Sequence, residues 1–323
     1  MTRRRRRSSS RDRGATALLA AVASALAAAA VIAAPRTAAA QACCVGTGLV
    51  TPARLRTFES GAVGAQMRAR SVMGAFGEGG AYATSGASSR ELGFEEDLFA
   101  ALRLGSRVQV GLWAPFIQTS RQQGNLSGFG GGLGDVALNA RFDALDAGTH
   151  GHWPGVAVLG ALSLPTGQAP DEGGANDLLS TSGTGTGSFE GSLGLAFEEI
   201  IGQQGFVSLA GFAAKRTARS ANGVQQSFAP RLSALLSGGY TFGHDFTVGA
   251  FASALRQGDN SDANGPIANS ATGLVTAGGA AALPFWQTWR LQATLFTDMP
   301  IAGWGRNQTV GYGGTIAVIR FWI

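Results

Sequence analysis

The sequence predicts an all-β fold: a transmembrane, antiparallel, up-and-down β-barrel of about twelve strands. Three observations predict it. Apolar and polar residues alternate with period two from residue 57 to the end. The connections between alternating segments are short and long by turns. The composition does not suit an ordinary soluble domain: 14% of residues are charged and 49 of 323 are Gly, against roughly 25% and ~7% in typical domains.

Charge has to be located before it is interpreted. The formal net charge of +5 and pI near 10.0 suggest an acidic partner. Eight of the 25 basic residues and one of the 20 acids precede residue 43, which leaves 17 against 19, or −2, for the rest. The basicity is an N-terminal block, so no nucleic-acid partner is expected.

That block begins the first element. Arg3 to Arg7, Arg11 and Arg13 form a positive region, Ala15 to Ala34 an apolar run, and Ala38-Ala39-Ala40 and Ala40-Gln41-Ala42 fit a small-x-small cleavage site. Residues 1–42 are expected to be a cleaved secretory signal peptide rather than a membrane anchor, because Ala is only marginally apolar. Residues 43–57 are expected to be a periplasmic N-terminal segment. It carries both cysteines, Cys43 and Cys44. In an oxidising compartment they have three fates: a vicinal disulfide, pairing with another chain, or lipid on Cys43.

Residues 58–323 are the expected barrel, with strands near 58–70, 91–104, 107–118, 133–145, 155–164 and 187–199. The second half follows with 205–215, 228–242, 246–256, 269–282, 287–298 and 309–322. The segment 91–104 shows the logic. Leu92, Phe94, Leu98, Ala100, Leu102 and Leu104 alternate with Gly93, Glu95, Asp97, Phe99, Ala101 and Arg103. Such a segment needs a different solvent on each side. Each segment is close to the ~9–11 residues of a strand that crosses a bilayer.

Tight turns are expected at Gly105-Ser106, 202–204, 243–245 and 284–287, with a longer one at 146–154. Long loops fall at 71–90, 119–132, 165–186, 216–227, 257–268 and 299–308. Outer-membrane barrels sort their loops this way, short on the periplasmic side and long outside. In lipid every backbone polar group must be paired within the protein, and a sheet manages this only by closing. A soluble lipocalin-type barrel or sandwich would need far more charge on its outer face. Phe321-Trp322-Ile323 ends the chain on an aromatic strand of the kind that barrel-assembly machinery reads.

Gly132-Leu133-Gly134-Asp135-Val136 opens a strand with Arg141 six residues on. Leu164-Pro165-Thr166-Gly167 ends the next, and Gly183 to Ser188 opens another. Over residues 90–323 this order resembles the outer-membrane barrel family labelled MetA-pathway of phenol degradation. The resemblance implies a channel-like, transporter-type outer-membrane protein of a Gram-negative bacterium, linked to hydrophobic or aromatic compounds.

Some outer-membrane barrels, such as phospholipase A and the omptins, are hydrolases that use a histidine near the outer rim. His150, His152 and His244 all fall in turns assigned to the opposite side, so an enzyme is not expected. His150 and His152 are too few for a metal site. Asp171, Glu172 and Asp177 lack a calcium-loop pattern and read as solvated surface. The Gly128 to Gly134 stretch has no following helix or Lys, so it is not a phosphate loop. No catalytic residue, metal or cofactor is expected.

Function should therefore be read from the lumen. The side chains expected there are Gln66, Arg68, Arg70, Glu95, Asp97, Arg103, Asp135, Asn139, Arg141, Asp143, Glu190, Arg231, Arg290 and Gln292. Both signs are present, which argues against a strongly ion-selective pore, and local pairing of Asp135 with Arg141 is expected. The leading expectation is a monomer in outer-membrane lipid that passes small, hydrophobic or aromatic solutes by diffusion, gated by loops 71–90, 119–132 and 165–186. The alternatives are a plugged barrel that anchors or displays its loops and, behind it, an interfacial hydrolase.

Overall fold

The computed structural model describes residues 54–56, 58–147, 153–174, 177–221, 223–243 and 246–323. The expected signal peptide, Cys43, Cys44, His150, His152 and His244 lie outside the described residues.

The wall is built from β1 Gly61–Phe76, β2 Ser89–Leu104, β3 Val108–Gln123, β4 Ala137–Leu145, β5 Gly155–Ser163 and β6 Glu190–Ile201. It continues with β7 Gly205–Arg216, β8 Arg231–Thr241, β9 Thr247–Gln257, β10 Thr272–Trp286, β11 Trp289–Asp298 and β12 Thr309–Trp322. Each strand pairs antiparallel with the next, and β12 returns to β1, from Gly61 opposite Trp322 to Ala75 opposite Thr309. The result is a closed, twelve-stranded, antiparallel barrel. Among the described residues no helix is long and apolar enough to cross a membrane, which says nothing of strands.

The period-two pattern sorts the two faces. Along β2, Leu98, Leu102 and Leu104 are exposed while Asp97, Phe99 and Ala101 are buried. Met67, Leu112, Leu138, Leu193, Leu195, Leu236, Leu295 and Ile316 continue the exposed apolar band round the wall. On the outer face the described ionisable side chains are few: Glu96 at the middle of β2 opposite Met67, Arg90, Lys215 and Arg256 toward the long loops, and Glu199 and Arg320 toward the short turns. An outer surface with this order is stable in lipid and not in water.

Four expected loops carry strand structure; 216–227 and 257–268 each hold a short hairpin, Arg219–Ala221 with Val224–Gln226 and Ser261–Asp262 with Gly265–Pro266. Within 119–132, Thr119–Gln123 extends β3 and Leu126–Leu133 folds back onto it across Gly124-Asn125, with Gly124 at φ +61°. Gly-Asn is a two-residue hairpin signal. Within 71–90, β1 runs on to Phe76 and Tyr82–Thr84 pairs with its end.

Candidate functional site: the barrel interior

The inner face has three tiers. The tier at the short-turn end is polar and ion-paired. Arg141 donates to Asp143 at 2.6 Å and to Glu198 at 3.0 Å. Arg54 also pairs with Glu198. Arg290 reaches Glu59 at 3.4 Å, and Gln109 donates to Asp143 at 3.5 Å. Glu59 and Glu198 are buried, and buried carboxylates of this kind survive only with charged partners.

Residues 54–56 and 58–60 form part of this tier. The sequence placed 54–57 ahead of the barrel, but the described residues 54–56 lie inside it. Leu55 is 2% exposed and packs with Ala62, Phe99, Ala101, Ala317, Ile319 and Phe321. Its N–H donates to Gln109 Oε1 at 3.1 Å. Arg103 donates to the carbonyls of Arg56 at 2.8 Å and Glu59 at 3.0 Å. The segment before the first strand therefore stoppers the short-turn end.

The middle tier is apolar. Ala157, Leu159, Ala196, Ala210, Leu235, Phe251 and Phe296 form one buried cluster that spans β5 to β11. Inner-face rings in this tier and in the one below it sit opposite glycines. Phe251 lies opposite Gly278 and Phe296 opposite Gly313, and nearer the short turns Phe99 lies opposite Gly64. On the far side Phe212 sits opposite Gly194, and beside the 202–204 turn Phe206 sits opposite Gly239. A Cβ at Gly313 would come within 2.7 Å of the Phe296 ring. Inward Gly lets each ring cover its neighbouring strand, which is one use for so much glycine.

The tier toward the long loops mixes both characters. Gln66 donates to Asp97 at 2.9 Å, and Arg68 faces Glu95 at 3.5 Å while lying 4.8 Å over Phe296. Arg70 pairs with Asp298 at 2.8 Å and donates to the Thr309 carbonyl at 2.7 Å. Glu190 holds Arg216 at 2.8 Å and also pairs with Arg231. Here β1–β3 and β10–β12 enclose a cavity of about 330 Å³. Arg68, Glu95, Thr276 and Asp298 form its polar side; Ile117 and Leu274 form its apolar side.

Of the fourteen candidates, thirteen stand on the inward-facing parity of a wall strand. Asn139 lies over Gly111, and Gln292 is half-buried on β11. Asp135 differs. It precedes β4, and its carboxylate accepts from Gly167 N at 3.0 Å, Thr186 N at 2.7 Å and Thr186 Oγ1 at 2.8 Å. It does not pair with Arg141; it pins the 164–189 connection. That connection also packs against the inner side of Leu126–Leu133, where a Cβ at Gly130 would meet the Thr181 backbone at 2.7 Å. The Gly-rich stretch is thus a seat for a loop.

Asp298 and Glu198 extend the period-two series from Arg290 and Glu190, so the pattern already held them. Nothing in the pattern announced Arg54 as the partner of Glu198, Glu59 as that of Arg290 or Gln109 as that of Asp143. The three loop carboxylates are each engaged separately. Asp171 pairs with Arg219 at 2.5 Å, and Glu172 accepts from Ala169 N at 3.0 Å. Asp177 accepts from Thr181 N at 2.7 Å and Ser182 N at 2.8 Å. Hydrogen bonds from the Ser182 hydroxyl, the Ser182 amide and the Thr181 amide hold the Asp177 carboxyl well below the usual range. Among the described residues no group of three or more His, Cys, Asp or Glu side chains gathers as a metal site.

The fold is that of a known class of bacterial outer-membrane barrels. It is similar to the COG4313 outer membrane channel from Pseudomonas putida F1, with a TM-score of 0.68 and 16% identity over 82% of this chain and 96% of that one. The translocator domain of autotransporter NalP from Neisseria meningitidis (TM-score 0.45, 14% identity, 81% of this chain and 88% of that one) is a more distant likeness. The CymD monoaromatic hydrocarbon channel (TM-score 0.43, 10% identity, 86% and 93%) is another. No family model and no curated protein matches the sequence.

Proposed function

We propose that this chain is a passive outer-membrane channel for small, hydrophobic or aromatic solutes, held closed at its short-turn end by residues 54–60. One observation carries the reading. A cavity of about 330 Å³, half polar and half apolar, lies toward the long loops, and its Arg68 rests on Phe296 of the apolar tier. A hydrated ion would have to shed its water there, whereas an uncharged ring would not. The paired charges above and below leave no single-sign ring to select an ion. The likeness to a bacterial outer-membrane channel and the sequence resemblance support this reading.

In the same proposal the chain is exported by residues 1–42 and recognised by assembly machinery through Phe321-Trp322-Ile323. It sits as a monomer in the outer membrane of a Gram-negative bacterium, with its short turns in the periplasm, and the fourteen candidate side chains act as lumen lining rather than as catalytic groups. The packed middle tier favours a second reading, a plugged barrel that anchors or displays its loops.

Bilayer recording and liposome flux on refolded protein separate the two. The channel reading expects weak ion conductance, measurable flux of an uncharged aromatic solute, and larger flux when Arg54→Ala and Glu59→Ala are combined. No flux from either protein, with both barrels folded, favours the anchor.

A further inference from the structure

We propose that Arg320, Trp322 and the apolar groove beside them bind one glycerophospholipid of the leaflet at the short-turn end, its phosphate on Arg320 and an acyl chain in the groove. The site is on the outer wall and does not depend on whether the barrel conducts.

Of the outward-facing ionisable side chains, two are engaged by polar groups of the protein. Glu96 accepts from Gln118 at 3.1 Å and Lys215 donates to the Phe228 carbonyl. Arg320 is different. Its guanidinium lies 5.8 Å from the Trp289 ring centre and 5.9 Å from that of Trp322, and among the described residues it pairs with no carboxylate. Two indole faces fix its position without neutralising it. At the level of an aromatic girdle the counter-charge within reach is a lipid phosphate. A guanidinium suits that group because its donors match phosphate oxygens two at a time.

The groove supplies the second half of the ligand. Arg320, Val63, Ala100 and Leu112 stand directly opposite one another across β12, β1, β2 and β3. Trp322, Gly61 and Leu102 form the next row. Small Gly61 and Ala100 make the floor, and Trp322, Leu102 and Leu112 make the walls, of a trough of about 580 Å³ on the outer face. Gly61 keeps the floor low: a Cβ there would lie 3.3 Å from the Trp322 ring, a tight contact. The trough is almost wholly apolar and starts beside the one rim cation held between two indoles. A molecule with a phosphate at one end and an alkyl chain at the other meets both halves at once.

Native mass spectrometry tests this on the refolded barrel in micelles doped with phosphatidylglycerol. Wild type is expected to retain one lipid. Arg320→Gln should lower retention about tenfold, the worth of one charge-assisted contact. Ala100→Trp fills the floor and should lower it similarly with Arg320 intact. Arg256→Gln, at the opposite rim over Trp304, should leave it unchanged. Heat-modifiable gel migration establishes that each variant is folded. Wild-type retention in folded Arg320→Gln and Ala100→Trp overturns the proposal, as does an equal loss in Arg256→Gln.

Discussion

At the scale of single residues, the interior is governed by two kinds of contact. The first is a ring laid over a glycine. Because Gly313 faces Phe296, any side chain at 313 must displace that ring or the wall. Gly313→Val is expected to destabilise the barrel by about 1–3 kcal/mol, the usual cost of overpacking, seen as a lower temperature for the heat-modifiable gel shift. An unchanged shift would mean that the ring has room to move. The second contact is the buried ion pair. Arg141→Ala leaves Asp143 and Glu198 short of a partner, and about 3–5 kcal/mol of stability should be lost. The Arg141→Ala/Glu198→Ala double variant should lose less than the sum of the single losses, because each removes the same contact. Urea unfolding measures both. These roles were partly legible in the sequence. Arg141 and Glu190 were visible as inward charges because a period-two series states which way a side chain points. It does not state which strand lies opposite, and so Asp135 was matched with Arg141, its strand neighbour, instead of with the 164–189 connection.

At the scale of elements, β3 and the Leu126–Leu133 strand matter most. They project beyond the wall as a hairpin, and the 164–189 connection is seated against it through Gly130 and held by Asp135 and Asp177. The Asp177 contribution has a definite pH dependence. Its carboxyl is held below its ordinary value of 3.8 by hydrogen bonds made only in the folded loop. The stability it adds is therefore complete above the unfolded value and is lost as pH falls toward the lowered folded one. Amide NMR shifts of Thr181 and Ser182 should stay constant down to about pH 3, below the reference carboxylate range. A titration centred near 4 would show that the cap is not formed. The hairpin was legible through Gly124-Asn125, but low charge and abundant Gly made 119–132 read as an open loop. The seat was not legible, since a glycine stripe carries no mark of what will lie against it.

At the scale of the whole molecule, strand number, order and the sorting of loops followed from alternation and loop length alone. The outer band predicts its own solvent. Leu195 lies outward near mid-strand on β6, between Val158 and Gly211. Leu195→Arg should cost about 2–4 kcal/mol in lipid vesicles. A cost near zero, as at an ordinary solvated surface position, would argue against burial of this band in a bilayer. What the sequence could not convey is how the interior is filled, because that depends on residues brought together across more than half the chain. The stopper shows this best. Arg54, Leu55, Arg56 and Glu59 touch β2, β3, β6 and β11, and Glu59 meets Arg290 across 231 positions. Those strands surround the stopper only after β12 has met β1. The stopper is therefore the keystone of the ring: it can be set only when the circumference is complete, and once set it ties the diameter at that end. Its burial is a natural timer for the last act of assembly, and a probe on Leu55 would report the moment at which a sheet becomes a barrel.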